Sequence, residues 1–303
     1  MSGTRISGAG LAFIGAMLVA GGPPAGVPSA LSAPPDGNPE IVRIAPASPV
    51  QGDTITVVVA PRAPSTVRVR FDGTDVHVYA LADETRRALI GTDPNIATAA
   101  HTVAVTVTAA GQPPVQLSRT VKIKSGQFGV RTIALPPSTF NLISADNAAI
   151  ERRALGPALG RRTAKAMWTG AFVLPSGGLM DSPYGLESVY NGHRMWWHQG
   201  VDFAAPEGSP VIAANAGIVA LAQGLPLGGN TVVIDHGQGV LTEYLHLSTM
   251  VVHPGERVDR GGLIARIGAT GLVTGPSLHW GLYVNGNWVN PLFWTEPRAD
   301  LTP

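Results

Sequence analysis

Trp197-His198-Gln199-Gly200-Val201-Asp202-Phe203-Ala204-Ala205-Pro206 sets an imidazole and a carboxylate four residues apart. Gly200 and the β-branched Val201 between them disfavour a helix, so a strand running into a loop is the expected way to converge the pair. Two later stretches offer matching groups, Tyr244-Leu245-His246 and Ser277-Leu278-His279-Trp280. A catalytic zinc takes three protein ligands from His and Asp or Glu and keeps a position for water. His198, Asp202 and His279 are candidates for that set. His246, closing a strand-like run, is the candidate for moving a proton. Tyr244, two residues earlier, would share its strand face and is a candidate substrate contact. Spacing alone leaves a structural reading open, because single histidines are often structural and eight occur in 303 residues.

Around this stretch the text is short strands and turns. Val211–Val219, Asn230–Gly237 and Val240–Leu247 read as strands, and Asn285-Gly286 as a hairpin turn. Asn191 sits in the turn Tyr190-Asn191-Gly192-His193, and Trp196 and Trp197 precede the first candidate ligand. Asn191 and Trp197 are further candidate substrate contacts. His193 is not expected to be a ligand, and His236 reads as a turn residue.

Upstream, Ser144 or Asp146 can cap a helix over 147–155. Gly156-Pro157 should interrupt it, with a second short helix over 157–165. The basic residues there read as a solvated face. Earlier still, Thr54–Val59, Val67–Phe71, Thr102–Val107 and Val115–Ile123 read as strands, with Asp72-Gly73 as a hairpin signal. They suggest an immunoglobulin-like β-sandwich with no catalytic cluster. His77 and His101 are read as ordinary strand residues.

Composition agrees with a mainly β chain. Charged residues are 14%, against about 25% in average soluble domains. There are 37 Gly and 26 Pro, which favour turns over long surface helices. A net charge of +1 gives no electrostatic case for nucleic acid. The absence of cysteine excludes disulfides, a thiol nucleophile and Cys-ligated metal. Arg5 followed by the apolar run Ala9–Ala20 fits an export signal and is too short to span a bilayer. The expected plan is a signal peptide (1–25), a linker (26–38), a β-sandwich (39–126), a connecting segment with short helices (127–169) and a domain holding the candidate zinc site (170–297). The mature chain is then expected to be an exported monomer with no membrane span, in the periplasm or extracellular and associated with the cell wall.

Several segments in order carry a more specific signal. His198–Val211, Gly229–Gly237, Tyr244–Ser248 and Gly268-Ala269-Thr270-Gly271 running to Gly275–Trp280 closely resemble the signature of the lysostaphin-type zinc metalloendopeptidases. These LytM-like enzymes cut bacterial peptidoglycan peptides. The match spans roughly residues 170–294. The resemblance implies His198, Asp202 and His279 as zinc ligands and His246 as a catalytic histidine. It implies an antiparallel β domain of β-roll or hybrid-like form with an open groove, and stem peptides or cross-bridges as substrate. An upstream β-sandwich is also familiar among secreted members. One position departs from the pattern. The family usually has His-x-His at the last motif, and here the first catalytic position is Ser277. Serine can hydrogen-bond an intermediate but cannot carry a proton near neutral pH, so reduced activity is expected. The alternative is a weak or inactive member that binds the wall or activates another hydrolase. A biotinyl or lipoyl carrier is disfavoured, since no lysine occurs after Lys165.

Overall fold

The structure, a computed structural model, describes residues 40–61 and 63–302. The expected signal peptide and linker lie outside the described residues. Eight strands make the first module: β1 (Glu40–Ala45), β2 (Thr54–Pro61), β3 (Ser65–Phe71), β4 (Thr74–Val76), β5 (Val78–Ala80), β6 (Arg86–Gly91), β7 (Ala100–Ala109) and β8 (Val115–Lys122). They form two four-stranded sheets, ordered β1-β2-β6-β5 and β4-β3-β7-β8. Ile55, Val57 and Val59 on β2 alternate inward, as do Val103, Val105 and Val107 on β7, and all are at most 1% exposed. The two sheets share this one core. Each such side chain contributes about 1.5–3 kcal/mol by leaving water.

The connecting segment holds β9 (Val130–Ile133), α1 (Pro137–Phe140) and α2 (Ala145–Leu159). Ser144 caps α2, its hydroxyl accepting the Asn147 N–H at 3.2 Å. The helix does not break at Gly156-Pro157. It runs through to Leu159, and Gly160 closes it. Pro157 lies in the last turn, where its missing N–H deletes a single bond. The expected second helix is therefore the end of the first. Strand β9 was not anticipated. It pairs in parallel with β11 of the second module.

The second module adds β10 (Leu179–Ser182), β11 (Glu187–Tyr190), β12 (His193–Trp197), β13 (Gly200–Ala204), β14 (Pro210–Ile212), β15 (Gly217–Leu225), β16 (Gly229–Gly237), β17 (Val240–Met250), β18 (Arg257–Val258), β19 (Leu263–Ile267), β20 (Ser277–Val284) and β21 (Asn287–Val289). The main sheet runs β10-β13-β20-β17-β16-β15-β18, every neighbouring pair antiparallel. One face packs on Val201, Phe203, Ile234, Tyr244, Leu278 and Trp280, all at most 2% exposed. The other face carries the groove described below.

Buried polar contacts join the modules. Arg87 on β6 is 1% exposed and donates to Gln238 Oε1 and the Thr302 carbonyl, its guanidinium 5.2 Å from the Trp168 ring centre. Burial lowers its pKa to about 10. Trp294 Nε1 donates to Thr54 Oγ1 across the same seam. Among the described residues no helix is long and apolar enough to cross a membrane.

Candidate metal centre and its groove

The register of three strands assembles the site. In the β13–β20 pair, Asp202 lies directly opposite His279. In the β17–β20 pair, Leu245 lies opposite His279 from the other side. His198 arrives on the short link between β12 and β13, held by its N–H to Leu186 O and its carbonyl to Gly185 N. The result is a triangle of donors. His198 Nε2 is 2.9 Å from Asp202 Oδ1 and 3.0 Å from His279 Nδ1, and His279 Nδ1 is 2.8 Å from the same oxygen. His198 Nδ1 donates to the Pro183 carbonyl at 2.8 Å, which leaves the Nε2 lone pair aimed inward. A metal needing about 2.0–2.2 Å to N and O donors can touch all three at once. As expected there is no helix here, His198 sitting on the link and Asp202 on β13, and Gly200 has a specific reason to be there. A Cβ on it would stand 2.7 Å from His279 Nε2.

Burial by itself would raise the Asp202 pKa. Hydrogen bonds and charge from His198 and His279 overcome it and hold the carboxyl well below its usual range. Burial lowers the His198 pKa, with Asp202 opposing. An arginine that the sequence did not point to completes the site. Arg131 on β9 donates to Asp202 Oδ2 at 3.0 Å and also bonds Ser182 Oγ. It occupies the carboxylate oxygen that faces away from the donor triangle. No local signal ties it to a partner 71 positions later.

His246 stands beside this centre, its ring centroid 6.4 Å from that of His279. Nδ1 donates to Thr270 O at 2.9 Å, and the other ring nitrogen has no protein partner among the described residues. Burial, with the neighbouring His279, lowers its pKa to about 4. Its backbone is left-handed, at φ 64°. Strict alternation would send His246 to the same side as Tyr244. The left-handed residue, with register shifts around it, turns the ring into the groove instead.

That twist corrects one expectation. Tyr244 is fully buried in the core, and its hydroxyl accepts the Ala214 N–H at 2.8 Å, so it does not face substrate. Two other expected contacts also move. Trp197 packs on Phe128, with centroids 5.9 Å apart, while the neighbouring Trp196 lines the groove. Asn191 holds a turn at φ 49°, and its amide brackets Leu135 through N–H and carbonyl. It is a clamp on the connecting segment, away from the groove lining. His236 is not a turn residue. It is fully buried on β16, bonded to Ala216 O and Thr242 Oγ1. Ser277 begins β20 on the same face as His279 and lines the groove.

The groove encloses about 1170 Å³. The metal residues, His246 and Ser277 form part of it, and α2 supplies a wall through Glu151, Arg152 and Leu155. Glu151 fixes that wall, its carboxylate accepting the N–H groups of Leu227 and Gly228 at 2.6 and 3.0 Å.

Comparison with known proteins places this geometry. Residues 197–291 match the model of peptidase family M23. Over 131 residues the chain is 45% identical to peptidoglycan DD-endopeptidase ShyA of Vibrio cholerae, covering 41% of this chain and 30% of that protein. It is 38% identical over 123 residues to the DD-carboxypeptidase/endopeptidase Mpg of Neisseria meningitidis, covering 41% and 28%. The chain thus spans less than a third of these curated relatives. A Pseudomonas aeruginosa crystal structure of a candidate M23 peptidase superposes with TM-score 0.60 at 26% identity, covering 82% of this chain and 96% of that one. The ordered motifs, the mainly β fold and the matched family model agree: the chain carries a peptidase family M23 domain of the LytM-like kind.

Proposed function

We propose that this chain is an exported, zinc-dependent endopeptidase that hydrolyses peptide bonds in bacterial peptidoglycan, acting in the periplasm or at the cell wall. The observation that carries the reading is the convergence of His198, Asp202 and His279 on one point inside a groove, with His246 alongside. The names of the matched relatives supply the substrate class. Zinc, when bound, would supply an activated water and polarise the scissile carbonyl. The chain's own residues do the rest. His246 is neutral at pH 7 and takes a proton on its free ring nitrogen. Arg131 neutralises and orients the outer oxygen of Asp202, fixing which oxygen faces the metal. Ser277 can donate one hydrogen bond to developing negative charge but cannot shuttle a proton. We therefore expect turnover below that of a site with histidine there.

The second reading, a wall-binding member with little turnover, is favoured by Ser277 alone. Purified peptidoglycan separates the two. Release of new peptide termini by the intact chain, abolished by chelation and restored by zinc, is the expected result. Bound zinc with no released product would establish the second reading. For residues 39–126 we further infer an immunoglobulin-like sandwich, supported by sheet orders that correspond to A-B-E-D and a C-F-G sheet with one added strand.

A further inference from the structure

Glu243 is a buried acid that the chemistry above does not use. It lies on β17, faces the groove and is 5% exposed. Among the described residues no hydrogen-bond donor or cation pairs with its carboxylate, whereas Glu151, a groove acid on α2, has two backbone N–H partners. Buried acids are ordinarily paired. Burial raises its pKa to about 7, His279 opposing and Glu151 adding to the rise. The cost of keeping it there points to a partner that arrives from outside.

Strand register locates it relative to the metal. One row across the sheet reads Asp202, His279, Leu245. The next row on the same face reads Gly200, Gly281, Glu243. Two residues along a strand is about 7 Å, so Glu243 sits one substrate residue away from the metal row. Both neighbours in its row lack side chains, and rings occupy that room, with His279 Nε2 2.7 Å from where a Cβ on Gly200 would stand, while Glu243 itself lines the groove. The ring of Trp288 closes one side, since a Cβ on Gly281 would meet it at 2.9 Å. A carboxylate beside an aromatic ring in a partly closed groove suits a compact cation with several N–H donors.

We propose that Glu243 forms a subsite for the primary ammonium of a diamino acid in the peptide substrate. It is a specificity-determining contact one residue from the scissile bond. This rests on the groove being the wall-peptide groove assigned above. An ammonium docked here ionises Glu243, pairs with it and fixes the register of the peptide over the metal. A peptide without that charge leaves the groove acid without a partner of opposite charge and displaces the solvent that reaches it.

The test uses the zinc-loaded full chain and two probes. One is a stem tetrapeptide whose diamino acid keeps its free side-chain amine, and the other is the same peptide N-acetylated there. Calorimetry should show the free amine binding tighter by about tenfold or more. Glu243→Gln should lose this preference by weakening only the free-amine peptide, with zinc content unchanged. Equal affinities in the wild type, no measurable binding of either probe, or a preference that survives in Glu243→Gln overturns the subsite. If the variant does not fold, the wild-type pair decides alone. Turnover is scored separately with two cross-linked dimers, one whose donor strand keeps its free side-chain amine and one whose donor strand is N-acetylated there. A preference for the amine with no release from peptidoglycan sinks the endopeptidase reading and keeps the subsite. Equal cutting of both dimers does the reverse.

Discussion

The two faces of β17 carry polar groups in alternation and treat them differently. On the core side, Thr242 Oγ1 lies 3.0 Å from the Tyr244 hydroxyl and 2.7 Å from His236 Nε2, and the chain of contacts ends on backbone groups of Ala214 and Ala216. Every member is within reach of a partner. On the groove side, Glu243 and one ring nitrogen of His246 have none among the described residues. The paired groups hold the core side together, with Trp280 Nε1 the one buried atom there without a partner among the described residues, and the open groups of β17 face the groove. The contrast separates structural from functional residues in one strand, where their chemical types do not.

Four substitutions or conditions can break that contrast. His246→Ala removes the open nitrogen and should lower kcat by about 10²–10⁴-fold with zinc stoichiometry retained. Loss of zinc in parallel would make His246 a site-builder instead. His236 tests the closed side by pH. Its folded pKa is lowered by burial to about 4, against 6.5 for the free side chain. Above about pH 6.5 both states are neutral and its contribution is complete. As pH falls from there to about 4, the unfolded chain takes a proton that the folded chain refuses, and about 3 kcal/mol of stability is lost. Urea midpoints across this range should therefore fall more steeply in the wild type than in His236→Gln, and parallel slopes would contradict it. Ser277→His restores a proton carrier to the groove face and should raise turnover by about 10². Equal zinc with no faster cleavage would remove the assigned role of position 277. Tyr244→Phe leaves the Ala214 N–H unpaired and should cost about 1–3 kcal/mol in thermal or chemical unfolding. The kcat of the folded fraction should stay the same, and a drop there would return Tyr244 to the groove.

Much of the site could be read in advance, and the misses share a cause. His198, Asp202 and His279 were legible because their segments come in a fixed order with recognisable flanks. The β character was legible from alternation in Thr54–Val59 and Thr102–Val107. Tyr244 departs from the sequence expectation because period two does not extend through His246, whose left-handed backbone belongs to a non-glycine residue and leaves no mark in the sequence. Trp196 and Trp197 are adjacent, so local pattern could not say which one faces the groove. Pro157 reads as a break in the sequence because its place within the last turn depends on where the helix ends. Arg131 and Glu243 were missed for a further reason. The role of each depends on strand pairing between distant segments, and pairing is a property of the fold.

Arg131 also bears on what can be cut out and moved. The family match begins at residue 197, and the domain boundary drawn from sequence falls at 170. Strand β9 lies before both, yet it is stitched to β11 along four residue pairs and delivers the counter-ion of Asp202. An excised fragment starting at 170 keeps all three candidate metal ligands and leaves the outer oxygen of Asp202 without its cation. For grafting or trimming, the portable unit starts at β9, and a fusion joint placed downstream of it severs the site while leaving every recognisable motif intact.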